Sequence, residues 1–207
     1  MFVLSSDISK EIKYVITTGH SCRSPVPSKF THGSMTMKVL DTQHRIKDWY
    51  GKKYLAKVIS VDKKYDLCLL QVNGVIEKRY MVPIANKPAK LGEKVYNLAA
   101  PKGIFYPGMV LTFEGYYSGV DPVGNRIYSI PTKPGSSGSA VLNKNGEIVG
   151  ILFAGFRSIE NIAVVSPLYA VQGFLLKSFA EGETLLWLKL PQKDKDKISR
   201  VWYKIFN

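Results

Sequence analysis

The chain has 207 residues, 45% of them hydrophobic and 22% charged, the make-up of a folded globular protein rather than a disordered or fibrous one. Its 29 basic residues against 16 acidic ones leave a net charge of +13, which suits an anionic partner, a nucleic acid or an acidic protein surface, as well as a plain solvated basic face. No run approaches the roughly 18 consecutive apolar residues of a membrane span. The start, MFVLSSDISKEIKYVITTGH, lacks the pattern of a secretory signal, so a cytoplasmic protein is expected.

In chain order, FVLSS is followed by YVITT (14–18), which runs into Gly19 and His20. A polar, loop-rich stretch holding His32 and His44 follows, with SMTMKVL (34–40) inside it. These two histidines are expected to be solvated. Next come YLAKVISV (54–61), LCLLQV (67–72), KVYNLAA (94–100), MVLTFEGYY (109–117), RIYSIP (126–131), SAVLN (139–143), EIVGILFAG (147–155) and IAVVSP (162–167). These short β-rich runs are separated by turn formers with no helix between them, which predicts an all-β sandwich or barrel. Asn145-Gly146 between two apolar runs is the clearest hairpin signal. LYAVQGFLLKSFA (168–180) reads as a helix that Gly182 would stop. TLLWLKL (184–190) reads as strand-like. In the basic tail, Ile198, Val201, Trp202, Ile205 and Phe206 recur at helical spacing, as on a face that packs on its own domain or meets a partner.

The stretch KPGSSGSAVLNKNGEIVG (133–150) presses Gly135, Ser136, Ser137, Gly138 and Ser139 together before an apolar run. A plain glycine-serine turn is one reading. The other is a nucleophile turn, in which the N–H groups of Gly135 and Ser137 converge beside the Ser137 hydroxyl. The strand–turn–helix elbow built on Gly-x-Ser-x-Gly is excluded, because residue 139 is serine and a strand follows. A nucleophilic serine needs a base and an acid to orient it. His20 ends one β run and Asp66 opens another; Asp62 competes for the acid role but does not directly precede the apolar strand. The three histidines and two cysteines show no metal-ligand spacing.

TTGH around His20, YDLCLL around Asp66 and KPGSSGSAVLNKNGEIVGI around Ser137 resemble the trypsin-like serine proteases, nearest to the bacterial high-temperature-requirement branch and its viral and phage relatives. The chain order His, Asp, Ser agrees with that fold. The resemblance covers roughly residues 2–175. It implies an all-β chain of two six-stranded-type antiparallel β-barrels with a short C-terminal helix. The divisions expected are 1–88 (first barrel, with His20 and Asp66), 89–180 (second barrel, with Ser137, plus helix) and 181–207 (tail). It further implies that His20 is the general base, that Asp66 holds its tautomer and that Ser137 attacks the peptide carbonyl. Gly135 and Ser137 would form the oxyanion hole. Phe153, Ala154 and Gly155 would pair with the substrate backbone, and Thr132 would line the first specificity pocket, which takes a small or medium apolar side chain.

A protein or peptide substrate is implied, with no metal or organic cofactor. Ser136 stands where pancreatic-type members carry an aspartate, so activation by propeptide cleavage is not expected. The family normally carries a strand before the one seen as FVLSS. The first barrel is therefore expected to lack its initial strand, with residues 184–190 covering the exposed edge or the lobe surface. Cys22 and Cys68 each lie two residues beyond a proposed triad member; they are expected to be near each other but to remain free thiols. The competing reading is an inactive trypsin-like fold that binds peptide or nucleic acid.

Overall fold

A computed structural model of the chain describes residues 2–4, 12–23, 29–32, 35–38, 42–73, 82–156, 159 and 161–186. The first lobe contains β1 (Phe2–Leu4), β2 (Ile12–Thr18), a single turn α1 (Gly19–Cys22), β3 (Lys29–His32), β4 (Met35–Lys38), β5 (His44–Lys47), β6 (Lys53–Asp62) and β7 (Leu67–Asn73). The second contains β8 (Lys94–Ala99), β9 (Leu111–Val120), β10 (Arg126–Tyr128), β11 (Ala140–Leu142), β12 (Ile148–Gly155) and β13 (Ala163–Pro167), followed by helix α2 (Leu168–Leu186).

The second lobe closes into a six-stranded barrel in the order β10-β13-β12-β11-β8-β9. The first is a half-barrel, β1-β2-β7-β6-β5, with β3 and β4 as a separate hairpin. Every pairing among these named strands is antiparallel. β1 occupies one edge of the half-barrel and pairs Phe2 with Ile16 through Leu4 with Tyr14.

The apolar runs of β2 and β7 are nearly continuous because both faces of each strand are covered. Successive side chains point to opposite faces. Val15, Cys68, Leu70 and Val72 fill the first lobe's own core with Ile46 and Tyr54. Tyr14, Ile16, Leu67 and Leu69 turn the other way, into a cluster with Ala140, Leu142, Ile148 and Ile151 of the barrel and Val171, Phe174 and Leu175 of α2. Burying each such aliphatic side chain contributes about 1.5–3 kcal/mol, so this shared cluster holds the lobes to one another. The second lobe has its own core around Val95, Tyr128, Ile130, Val141 and Val165.

Four expectations are corrected. Cys22 and Cys68 are not free thiols but form a disulfide, with Cα atoms 6.4 Å apart. The pairing of Thr18 with Leu67 in the β2–β7 ladder brings their segments together. His32 and His44 lie in strands rather than loop, because β3 pairs with β4 and β5 with β6. Helix α2 does not stop at Gly182 but continues to Leu186; one glycine costs a helix about 1 kcal/mol, too little to end it between Glu181, Glu183 and Leu185. Residues Thr184–Leu186, read as strand-like, are its last turn. Residues 187–190 and the apolar stripe of the tail lie outside the described residues.

Candidate active site

His20 and Asp66 meet where β2 and β7 end. The β2–β7 register runs from Ile12 opposite Asn73 to Thr18 opposite Leu67, so the residues just past Thr18 and just before Leu67 adjoin. His20 Nδ1 lies 2.5 Å from Asp66 Oδ2, and the His20 backbone N–H donates to Asp66 Oδ1 at 2.8 Å. The carboxylate therefore grips both ring and backbone of the histidine, fixing the imidazole's rotation and leaving Nε2 clear of Asp66. The Thr18 hydroxyl lies 3.5 Å from Nε2 and bonds Ser21 Oγ at 2.7 Å. Arg23 Nη2 reaches Asp66 Oδ1 at 3.3 Å. Asp62 serves a different purpose: its Oδ1 accepts the N–H groups of Lys64 and Tyr65 and forms the turn that delivers Asp66.

The Gly135–Ser139 turn approaches from the second lobe. Gly135 and Gly138 have φ of +97° and +85°, in the left-handed region that favours glycine. A Cβ on Gly138 would overlap the Thr17 side chain, and one on Gly135 would meet the Lys102 amide at 2.8 Å. The turn thus abuts the end of β2 only two residues ahead of His20. It is held by the Ser139 hydroxyl donating to Ser136 O at 2.6 Å, Ser136 N–H to Lys133 O, Gly138 N–H to Leu152 O and Lys102 N–H to Pro134 O. The N–H groups of Gly135 and Ser137 make no hydrogen bond among the described residues. Within the turn, the two donors assigned from the sequence to an oxyanion are the ones left unspent.

The Ser137 hydroxyl donates to Phe153 O at 3.2 Å, and among the described residues no hydrogen bond joins it to His20. Phe153 lies at a bulge, where β12–β13 pairing jumps from Leu152–Val165 to Ala154–Val164. β12 runs past β11, whose last pair is Ala140 with Ile151. On that side, Phe153–Gly155 have no strand partner among the described residues, the Ser137 hydroxyl alone taking Phe153 O, and such an edge is the kind to which an extended peptide adds as a strand. Thr132 stands against Gly155 so closely that a Cβ there would overlap its hydroxyl. Thr132, Phe153, Ala154 and Gly155 thus form one wall beside Ser137.

Sequence reasoning missed Asn97 and Arg23. The Asn97 side chain is fully buried and donates to Ser139 Oγ at 2.8 Å and Ala140 O at 2.9 Å, bracing the serine turn from β8. Its signal was a lone amide inside the apolar run VYNLAA. Arg23 carries no comparable signal.

Fold and site together define a two-lobed β protein with a histidine–aspartate pair on one lobe facing a glycine-rich serine turn on the other. Residues 2–151 match the trypsin-like peptidase domain model, and the chain belongs to that family. It is 25% identical over 151 residues to a protein named serine protease HtrA-like from Staphylococcus aureus strain MRSA252, covering 64% of this chain and 19% of that protein. The same-named protein of strain USA300 is 26% identical over 140 residues, covering 59% and 18%. A crystal structure of the serine endoprotease from Yersinia pestis superposes with a TM-score of 0.62 at 20% identity, over 86% of this chain and 57% of that one. The chain thus spans about a fifth of the Staphylococcus relatives and just over half of the Yersinia chain.

Proposed function

We propose that the chain is a serine endopeptidase acting through His20, Asp66 and Ser137. The observation that carries the reading is the double grip of Asp66 on His20, 2.5 Å to Nδ1 and 2.8 Å from the backbone N–H, opposite a serine turn with two unspent N–H groups. Held this way, His20 presents Nε2 as the base. As a peptide lies along Phe153–Gly155, the Ser137 hydroxyl leaves Phe153 O, gives its proton to His20 and attacks the carbonyl. The oxyanion falls to the N–H groups of Gly135 and Ser137, donors preorganised by the turn. His20 then protonates the departing amine, and water hydrolyses the acyl-enzyme with His20 again as base. Asp66 holds the ring in place and steadies the imidazolium.

Thr132 and Gly155 bring no charge to the wall of the first pocket, and the reading expects a small or medium apolar residue before the cut. The surplus of positive charge favours acidic protein segments as substrates or docking partners.

A second reading is a peptide-binding member without catalysis, and the Ser137–Phe153 bond favours it, since the hydroxyl is turned from the base. One experiment separates them. The purified full chain is treated with a fluorophosphonate probe and a peptide library, with Ser137→Ala as control. The peptidase reading expects labelling and cleavage in wild type only. Folded wild type that neither labels nor cleaves refutes it.

A further inference from the structure

The carboxylate of Asp66 depends on a backbone shape that a non-glycine residue rarely adopts. Its φ is +53°, in the left-handed region that ordinary L-residues avoid and that is easiest for Asn and Asp. Something must hold it, and the two peptide groups on either side of its Cα are each pinned. The following carbonyl, Asp66 O, accepts the Gly19 N–H at 2.7 Å from the first lobe. The preceding carbonyl, Tyr65 O, accepts the Ser166 hydroxyl at 2.7 Å from β13 of the second lobe. Two fixed peptide planes fix the torsions between them, and with them the direction of Cβ and the aim of the carboxylate at His20.

We infer that Ser166 is a positioning residue for Asp66, and that the second lobe sets the histidine–aspartate geometry of the first through it. Ser166 is fully buried, and its hydroxyl is spent on a carbonyl 101 residues away in sequence, next to the residue it serves. The Tyr65 ring adds a second tie between the lobes, meeting Tyr169 of α2 edge to face at 5.9 Å and 89°, with Lys64 Nζ 4.9 Å from its centroid. The Tyr65 phenol is held below the usual tyrosine range, chiefly by its hydrogen bond with Tyr169 and then by that with Lys64. The Tyr169 phenol is raised by the same bond. The 65–66 peptide is thereby gripped at both side chain and backbone from the second lobe.

This inference rests on the peptidase reading for its kinetic arm but not for its spectroscopic one. The test compares full-length wild type, Ser166→Ala, Ser166→Cys, Asp66→Asn and Ser166→Ala/Asp66→Asn. Loss of one neutral hydrogen bond should lower kcat of Ser166→Ala about tenfold, with KM little changed. Ser166→Cys, a weaker donor of similar shape, should recover part of the loss. In the Asp66→Asn background the Ser166 change should cost nothing further in kcat, since there is no carboxylate left to aim. The far-downfield imidazole N–H resonance of His20 should broaden or vanish in Ser166→Ala.

Equal losses in both backgrounds would overturn the inference, as would a lower melting temperature with unchanged kcat and resonance. If Ser166→Ala fails to fold, Ser166→Cys decides, with reduced kcat and a broadened resonance supporting and wild-type values refuting. If wild type neither labels nor cleaves, the peptidase reading fails, and the resonance alone decides the Ser166 question.

Discussion

Reducing the Cys22–Cys68 bond should destabilise the chain and loosen its histidine in one step. The bond spans 46 residues. Setting n to that value in the loop-entropy expression −2.1 − 1.5R ln n gives about 13.5 cal/mol/K, or about 4 kcal/mol at 25 °C. For a chain of this length each kcal/mol moves the melting temperature by about 2–4 °C, so reduction should lower it by roughly 8–16 °C. The placement couples stability to the site. Cys22 ends the single-turn helix that carries His20, and Cys68 sits in β7 two residues past Asp66. Both are buried, so a reductant acts efficiently only on partly unfolded protein, and the double variant Cys22→Ala/Cys68→Ala is the cleaner perturbation. Thermal unfolding followed by circular dichroism, beside thiol titration in denaturant before and after reduction, measures both halves. A disulfide persists only under oxidising conditions, so the titration also identifies which form a given preparation contains. Two reactive thiols in unreduced protein, or a shift below about 2 °C in the double variant, would refute the reasoning.

Three further outcomes rest on the same contacts. Gly138→Ala forces a Cβ into the Thr17 side chain at φ +85°, so labelling of Ser137 should be abolished and the melting temperature lowered; wild-type labelling would contradict this. Asp66→Asn puts one of the few residues at ease in the left-handed region at φ +53°, so the protein should fold while kcat falls about 10⁴-fold, the loss seen for the template Ser-His-Asp triad; a loss below tenfold would show that Asp66 does not orient the base. Asn97→Ala removes the donor to Ser139 Oγ and Ala140 O, leaving Ser139 Oγ only its bond to Ser136 O, and should cost about 1–3 kcal/mol in chemical denaturation, with weaker labelling of Ser137.

How much of this was legible depends on whether a signal was local. β2 and β7 could be read because burial on both faces writes an unbroken apolar run. The Asn145-Gly146 hairpin could be read because its geometry is local: Gly146 has φ +76° and Asn143 Oδ1 accepts the N–H groups of Asn145 and Glu147. β5 (HRIK) was hidden, since among its residues only Ile46 is buried and the strand exists because β6 pairs with it. The serine turn announced itself through glycines that must take positive φ. Asn97 and Ser166 were legible only as lone polar residues in apolar runs, a pattern that carries no sequence marker for the partner each will meet. The disulfide was half legible: spacing brought the cysteines near each other, but the bond depends on a ladder register set across the sheet.

The same strands that carry the histidine and the aspartate also build the contact between lobes. Ile16 lies four residues before His20 and Leu67 immediately after Asp66, and both are fully buried in the cluster that includes Ile151 of β12 and Val171 of α2. The serine turn is fastened to β12 through Gly138 N–H and Leu152 O, so its position is fixed by the barrel, and the barrel's position by that cluster. Close packing resists gradual deformation; a shift of one lobe over the other would therefore disturb the Gly138–Thr17 contact and the Ser166–Tyr65 bond together. Residues far apart in sequence meet at this site because the lobes share a core, and the chemistry proposed for the site is bound by the same packing that stabilises the fold.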